Sequence, residues 1–158
     1  MYFSVSKKKG MGVILNIIIG LIIIGITVTI HGYGTKFWIN FLIKKYKHLG
    51  DASFDTKSVW LLIATALFLL FLNFLEAIVW GVTYYSLPGI TEFDTLEKSI
   101  YFSLVTFTTL GYGEITISST NRILSGFEAM NGVLLLGWST TMMFSVMQAL
   151  MKNTLKQD

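Results

Sequence analysis

The chain has no cysteine, a single proline, two histidines and few charges. Without cysteine there is no disulfide, no thiolate metal site and no cysteine nucleophile, and the redox compartment stays open. Charged residues are 13% of the 158, about half the share of an ordinary soluble domain. No glycine-rich phosphate loop and no HExxH metal motif occur, and His31 and His48 are read as linker residues without partners. An enzyme therefore has no residues to stand on, and no cofactor is expected. The formal charge of +3 is small, and its lysines sit beside apolar runs, which suits membrane flanks better than a nucleic-acid surface. No internal repeat or low-complexity tract appears.

What is abundant is apolar surface. Hydrophobic residues make up 53% and aromatics 15%, with a mean hydropathy of +0.65. The length is that of one domain, too short for a membrane unit plus a sizeable soluble one. Three stretches suit a membrane crossing, which takes about 20 residues of helix. They are Met11–Ile30, Trp60 to about Val82, and Ile123 to about Met151. A signal peptide is the rival for the first, with Lys7, Lys8 and Lys9 as its basic start. The run is too long for that, and no small-residue cleavage site follows. Trp80, Tyr84 and Tyr85 are placed as an interfacial belt on the second.

Between the second and third spans lies a shorter, half-polar segment. Leu87-Pro88-Gly89 breaks the chain, and Glu92, Asp94, Glu97 and Lys98 open a short helix with Thr95 or a neighbour as N-cap. This helix, continuing to Thr108, is too short to span. Its C-terminal end, carrying about half a negative charge, runs into Thr108-Thr109-Leu110-Gly111-Tyr112-Gly113-Glu114. Two glycines one residue apart accept φ > 0, so successive carbonyls can turn to one side. Thr109 adds a hydroxyl at the inner end. Non-helical backbone at this depth is tolerated only where protein buries it or water reaches it.

The segment resembles the selectivity filter of the tetrameric pore-loop potassium channels, whose usual form has Val for Leu110 and Asp for Glu114. Trp60 to Met151 is similar to the two-transmembrane pore module of that family, with an extra N-terminal helix. Tyr101-Phe102-Ser103 matches the family's pore-helix aromatic pair and serine. The resemblance implies an all-α membrane protein: outer helix, re-entrant pore helix and filter, inner helix and one N-terminal transmembrane helix. It implies a homotetramer around a central pore in the plasma membrane. K⁺ would be the permeant ion, coordinated by Thr109, Leu110, Gly111, Tyr112 and Gly113 through stacked rings of oxygens. Leu110 and Glu114 keep a weakly selective monovalent cation channel as the alternative.

The same match places Gly132 at the gating hinge, with close helix packing as the competing reason for a mid-helix glycine; Gly126 and Gly137 could serve packing as well. Tyr101 and Phe102 are expected to pack around the filter. Some relatives carry a carboxylate where Val105 stands, so their filter behaviour does not transfer. Glu76 and Glu128, both inside spans, are costly unless paired or protonated; both are candidates to support the filter through the pore helix, by interhelical bonding rather than ion contact. Asn131 shares the face of Glu128, and the two are read as bracing the pore helix. Ser139, Thr140 and Thr141 are candidates for a water-filled cavity. Arg122 would pair with Glu114, pair with an acid before the pore helix, or snorkel.

Division of the chain falls into 1–58, an N-terminal transmembrane helix and cytoplasmic amphipathic linker, and 59–158, the pore domain. The linker's Lys36, Lys44, Lys45, Lys47 and Lys57 satisfy the positive-inside rule, and Phe37–Ile43 followed by two lysines is read as a helix on the inner surface. A spanning first helix then leaves Lys7–Lys9 outside, against the rule; a first helix lying on the inner surface is the alternative. Acidic residues collect on the opposite side, as suits a cation pore. No span repeats arginine at every third position, so no voltage sensor of the usual kind is expected, nor a regulatory domain after Lys152.

Overall fold

The computed structural model describes residues 2–45, 56–118 and 120–154, with side chains described for 12–45, 56–118 and 121–151. Lys47 and His48 lie outside these residues, as do the side chains of Lys7, Lys8, Lys9 and those beyond Met151. The described residues are helical throughout apart from the connections: α1 Tyr2–Lys45, α2 Thr56–Ser86, α3 Leu96–Phe107, a 3₁₀ turn Thr120–Arg122, and α4 Ile123–Thr154. Three of them are long and apolar enough to cross a membrane, within Gly12–Lys45, Thr56–Ser86 and Ile123–Met151.

Helix α1 departs from the expected boundary. It does not stop near Ile30 and restart as a separate surface helix, but runs unbroken to Lys45. Nothing in Ile30–Lys45 stops a helix: there is no proline, and the two glycines are used for packing. A Cβ on Gly34 would come within 2.8 Å of Leu72, so its absence lets α1 lie directly on α2. The Phe37–Ile43 stretch is accordingly docked on α2. Trp38 stacks on Phe68 with centroids 4.4 Å apart and donates its ring N–H to Thr65 Oγ1 at 3.1 Å.

Helix α3 starts where Thr95 caps it, its hydroxyl accepting from Lys98 N–H. It is held by an apolar core of Trp80 and Tyr84 from α2, Phe93 from the connection, Phe102 and Phe107 from α3, and Leu124 and Leu135 from α4. Tyr84 meets Phe102 edge-on at 5.2 Å, the geometry that aromatic quadrupoles favour. The short helix is thus clamped between the two longer ones, with its C-terminal end fixed in depth.

Candidate functional site

Helix α3 ends at Phe107 because the chain folds back onto its last carbonyls. Thr108 N–H donates to Leu104 O at 3.1 Å and Thr109 N–H to Thr106 O at 2.9 Å, while Leu110 and Gly111 N–H share Val105 O at 3.0 and 3.2 Å. The terminal carbonyls of the helix are thereby satisfied by the segment that follows them. Positive φ then recurs at every second residue, with Thr109 at 59°, Gly111 at 55° and Gly113 at 82°. This alternation lets consecutive carbonyls point to one side, as the two glycines lead one to expect. Thr109 was not legible. A β-branched residue in the left-handed region is an outlier costing on the order of 1–3 kcal/mol, and such strain concentrates at functional sites.

The segment has little cover from its own chain. Leu110 is 56% and Tyr112 66% exposed. Beside it opens a cavity of about 500 Å³, lined by Phe102, Val105, Thr109, Ile117, Arg122 and Ser125 among others. Among the described residues no three His, Asp or Glu side chains gather as a metal site.

Behind the segment, Gly132 of α4 carries the end of α3. A Cβ there would lie 1.9 Å from Phe107 O and 2.7 Å from its carbonyl carbon. Close packing against backbone accounts for this mid-helix glycine without a hinge. Gly126 and Gly137 have no heavy atom within 4 Å of a Cβ, so they do not serve packing within the chain.

Glu128 is fully buried and meets α3, but not together with Asn131. Its carboxyl group takes Tyr84 Oη at 2.7 Å and lies 2.5 Å from Ser103 Oγ. Ser103 Oγ also lies 2.6 Å from Ala77 O. One hydroxyl proton can be donated to only one of these two oxygens at a time. Three helices therefore meet at one carboxyl group. Asn131 points the other way and donates to Thr27 Oγ1 of α1 at 2.7 Å.

Glu76 does not support α3 either. It is fully buried against α1, where His31 Nδ1 lies 2.8 Å from its Oε1. His31, read as a partnerless linker residue, is therefore a buried interhelical contact. Both surprises share a cause. Residues 3.6 apart in period share a face, but sequence does not say which neighbour that face meets. Ser139 is likewise engaged between helices, since it is buried and accepts from Asn73 Nδ2 at 2.8 Å. Thr140 and Thr141 are exposed.

At the outer end the Glu114 carboxylate accepts from Tyr101 Oη, tying the end of the segment to the middle of α3. Arg122 is exposed at the cavity rather than paired with Glu114. Glu92 reaches across the connection to Ser118, accepting from its N–H at 2.9 Å and its hydroxyl at 2.7 Å. The Ser118 backbone N–H, then its hydroxyl, holds the Glu92 carboxyl below the usual carboxylate range. Asp94 is also lowered, by Lys98 at 3.1 Å.

A family model described as "Ion channel" matches residues 72–149, from the middle of α2 to near the end of α4. Two-pore potassium channel 4 of Arabidopsis thaliana is 34% identical over 106 residues, covering 63% of this chain and 36% of that protein. The chain thus spans about a third of the length of that curated relative. No solved structure matches. The short helix, the glycine-rich segment and most of the α4 helix behind it fall within the matched residues, and over them this membrane protein is similar to the ion channel family.

Proposed function

We propose that four copies of this chain assemble around one axis as a passive potassium-selective channel, with Thr109–Gly113 as the filter. The observation that carries the reading is the alternation of positive φ at Thr109, Gly111 and Gly113. It occurs on a segment delivered by the C-terminal end of a short helix and exposed on its own chain. One copy encloses nothing, whereas a fourfold ring turns each carbonyl level into a ring of four oxygens that replaces the hydration shell of K⁺. Cyclic symmetry closes such a ring without open edges. The ring also gives the exposed Leu110 and Tyr112 side chains a neighbouring chain to pack on. The Arabidopsis relative, a two-pore potassium channel by name, supports the same ion. A plasma-membrane location follows from this role.

A weakly selective monovalent cation channel is the second reading, favoured by Leu110 and Glu114 where the family pattern has Val and Asp. The test is flux into liposomes holding the purified full chain. K⁺ and Rb⁺ are expected to pass with little Na⁺, and Ba²⁺, of similar radius to K⁺ and twice its charge, is expected to block. Gly111→Ala places a Cβ at a φ of 55°, straining each chain by about 1–2 kcal/mol, and is expected to abolish selective flux while the tetramer still forms. Equal Na⁺ and K⁺ flux would promote the second reading. A chain that conducts as a monomer or dimer, or Gly111→Ala with unchanged flux, would overturn the filter assignment.

A further inference from the structure

The family match begins at residue 72, so α1 lies outside it, yet α1 is tied to the pore module by polar contacts along its length. Asn16 donates to Asn121 at 2.8 Å, Asn131 to Thr27 at 2.7 Å, and Trp38 to Thr65 at 3.1 Å. The fourth tie differs in kind, because both partners titrate. His31 and Glu76 are each fully buried, 2.8 Å apart, between α1 and α2. The His31 ring also rests against Trp138 of α4, with centroids 5.2 Å apart and planes tilted by 56°. One imidazole therefore touches the outer and inner helices together.

Charge counting decides what state such a pair occupies. With no proton beyond the one on neutral imidazole, the pair carries a net negative charge inside a span, which is costly. One proton taken from solvent makes it neutral overall, whether the proton rests on nitrogen or on the carboxyl group. A second proton restores a net charge of opposite sign. The pair is thus least costly with one proton held between its two groups. Polar atoms without a protein partner surround them. His31 Nε2, Glu76 Oε2, Thr35 Oγ1 one turn along α1, and Asn73 Oδ1 one turn along α2 are all buried and unbonded among the described residues.

Other charges are spoken for or distant. On α1, Tyr33 and Lys36 are exposed. On α2, the other buried titratable group is Tyr84, bonded to Glu128. On α4, Glu128 is engaged with Tyr84 and Ser103, and beside the ring stands only the indole of Trp138. Helix α3 makes no contact with α1.

We propose that His31 and Glu76 form a proton-binding site within the span that docks the N-terminal helix on the inner helix through Trp138, so that gain or loss of its proton alters ion flux. The flux half of this rests on the channel reading above; the proton site does not. The test uses the full chain in lipid bilayers with His48→Gln, which leaves His31 as the single histidine. Its ¹⁵N ring signals are followed from about pH 4 to about pH 10. A titration step is expected for His31. In Glu76→Gln, which keeps a hydrogen-bonding side chain but no charge, proton binding is expected to weaken by about tenfold or more. Flux through the same liposomes is expected to change over the His31 interval, and that interval is expected to move with Glu76→Gln. No titration, or a midpoint that ignores Glu76→Gln, would overturn the proton site. Titration with pH-independent flux would overturn the coupling. Liposomes silent at every pH would count against the channel reading instead, while the nitrogen signals still decide the site.

Discussion

Replacing Gly132 with alanine tests the link between the inner helix and the segment it backs. The added Cβ would stand 1.9 Å from Phe107 O, where real contacts do not fall below 3.0 Å, so the two backbones must separate by about 1 Å. The obstructing atoms are backbone, and no flexible side chain can yield. Overpacking of this kind costs about 1–3 kcal/mol and more when backbone must move. Alanine recovers up to about 1 kcal/mol of helix propensity over glycine. The clash wins, leaving roughly 2 kcal/mol of destabilisation per chain, repeated in each chain of an assembly. Phe107 is two residues before Thr109, so the displacement is passed straight to the segment with alternating φ. Flux of Rb⁺ into liposomes is expected to fall at least about tenfold, and the detergent-solubilised assembly to melt earlier. Gly137→Ala is the control: with nothing within 4 Å of its Cβ, the chain's own packing does not oppose it, and stability should hold or rise slightly. Wild-type flux and stability in Gly132→Ala would refute the packing argument. Lost flux with unchanged stability would give Gly132 back to the hinge.

Glu128→Ala strands Tyr84 Oη and Ser103 Oγ in a buried site and leaves a cavity, so it is expected to cost about 2–4 kcal/mol per chain while K⁺ over Na⁺ preference survives in whatever assembles. Glu128→Gln, with a donor and an acceptor in the same place, should come close to wild type in thermal melts; altered selectivity with intact stability in Glu128→Ala would move the residue into the ion path. The Glu92 carboxyl should titrate below the ordinary carboxylate range when followed by its ¹³C signal, and Ser118→Ala should raise the midpoint only partway, because the backbone N–H, the stronger of the two donors, remains. Since the folded carboxyl is the stronger acid, its tie to Ser118 is complete above the unfolded carboxylate's midpoint near about pH 4.3 and is lost as pH falls through the depressed value. An unshifted Glu92 midpoint would mean that the Glu92–Ser118 tie is not formed in the bilayer.

Much of the architecture needed nothing beyond local chemistry. Twenty-odd apolar residues dictate a spanning helix, Thr95 caps a short one, Leu87-Pro88-Gly89 ends another, and two glycines one residue apart make room for positive φ. Each is decided by a residue and its near neighbours, which is why the three spans, the short helix and the Thr108–Glu114 segment were legible. Tertiary structure decided the rest. Glu76 met His31 rather than the short helix, Asn131 met Thr27 rather than Glu128, Ser139 met Asn73, and Thr109 took a conformation its own side chain disfavours. A helix that is apolar around its circumference carries no stripe to say which face turns inward. Its rotation is fixed only when a few polar side chains find partners on other helices, a hundred residues apart in the case of Thr27 and Asn131, and when a missing Cβ, as at Gly81 and Gly132, lets two backbones close.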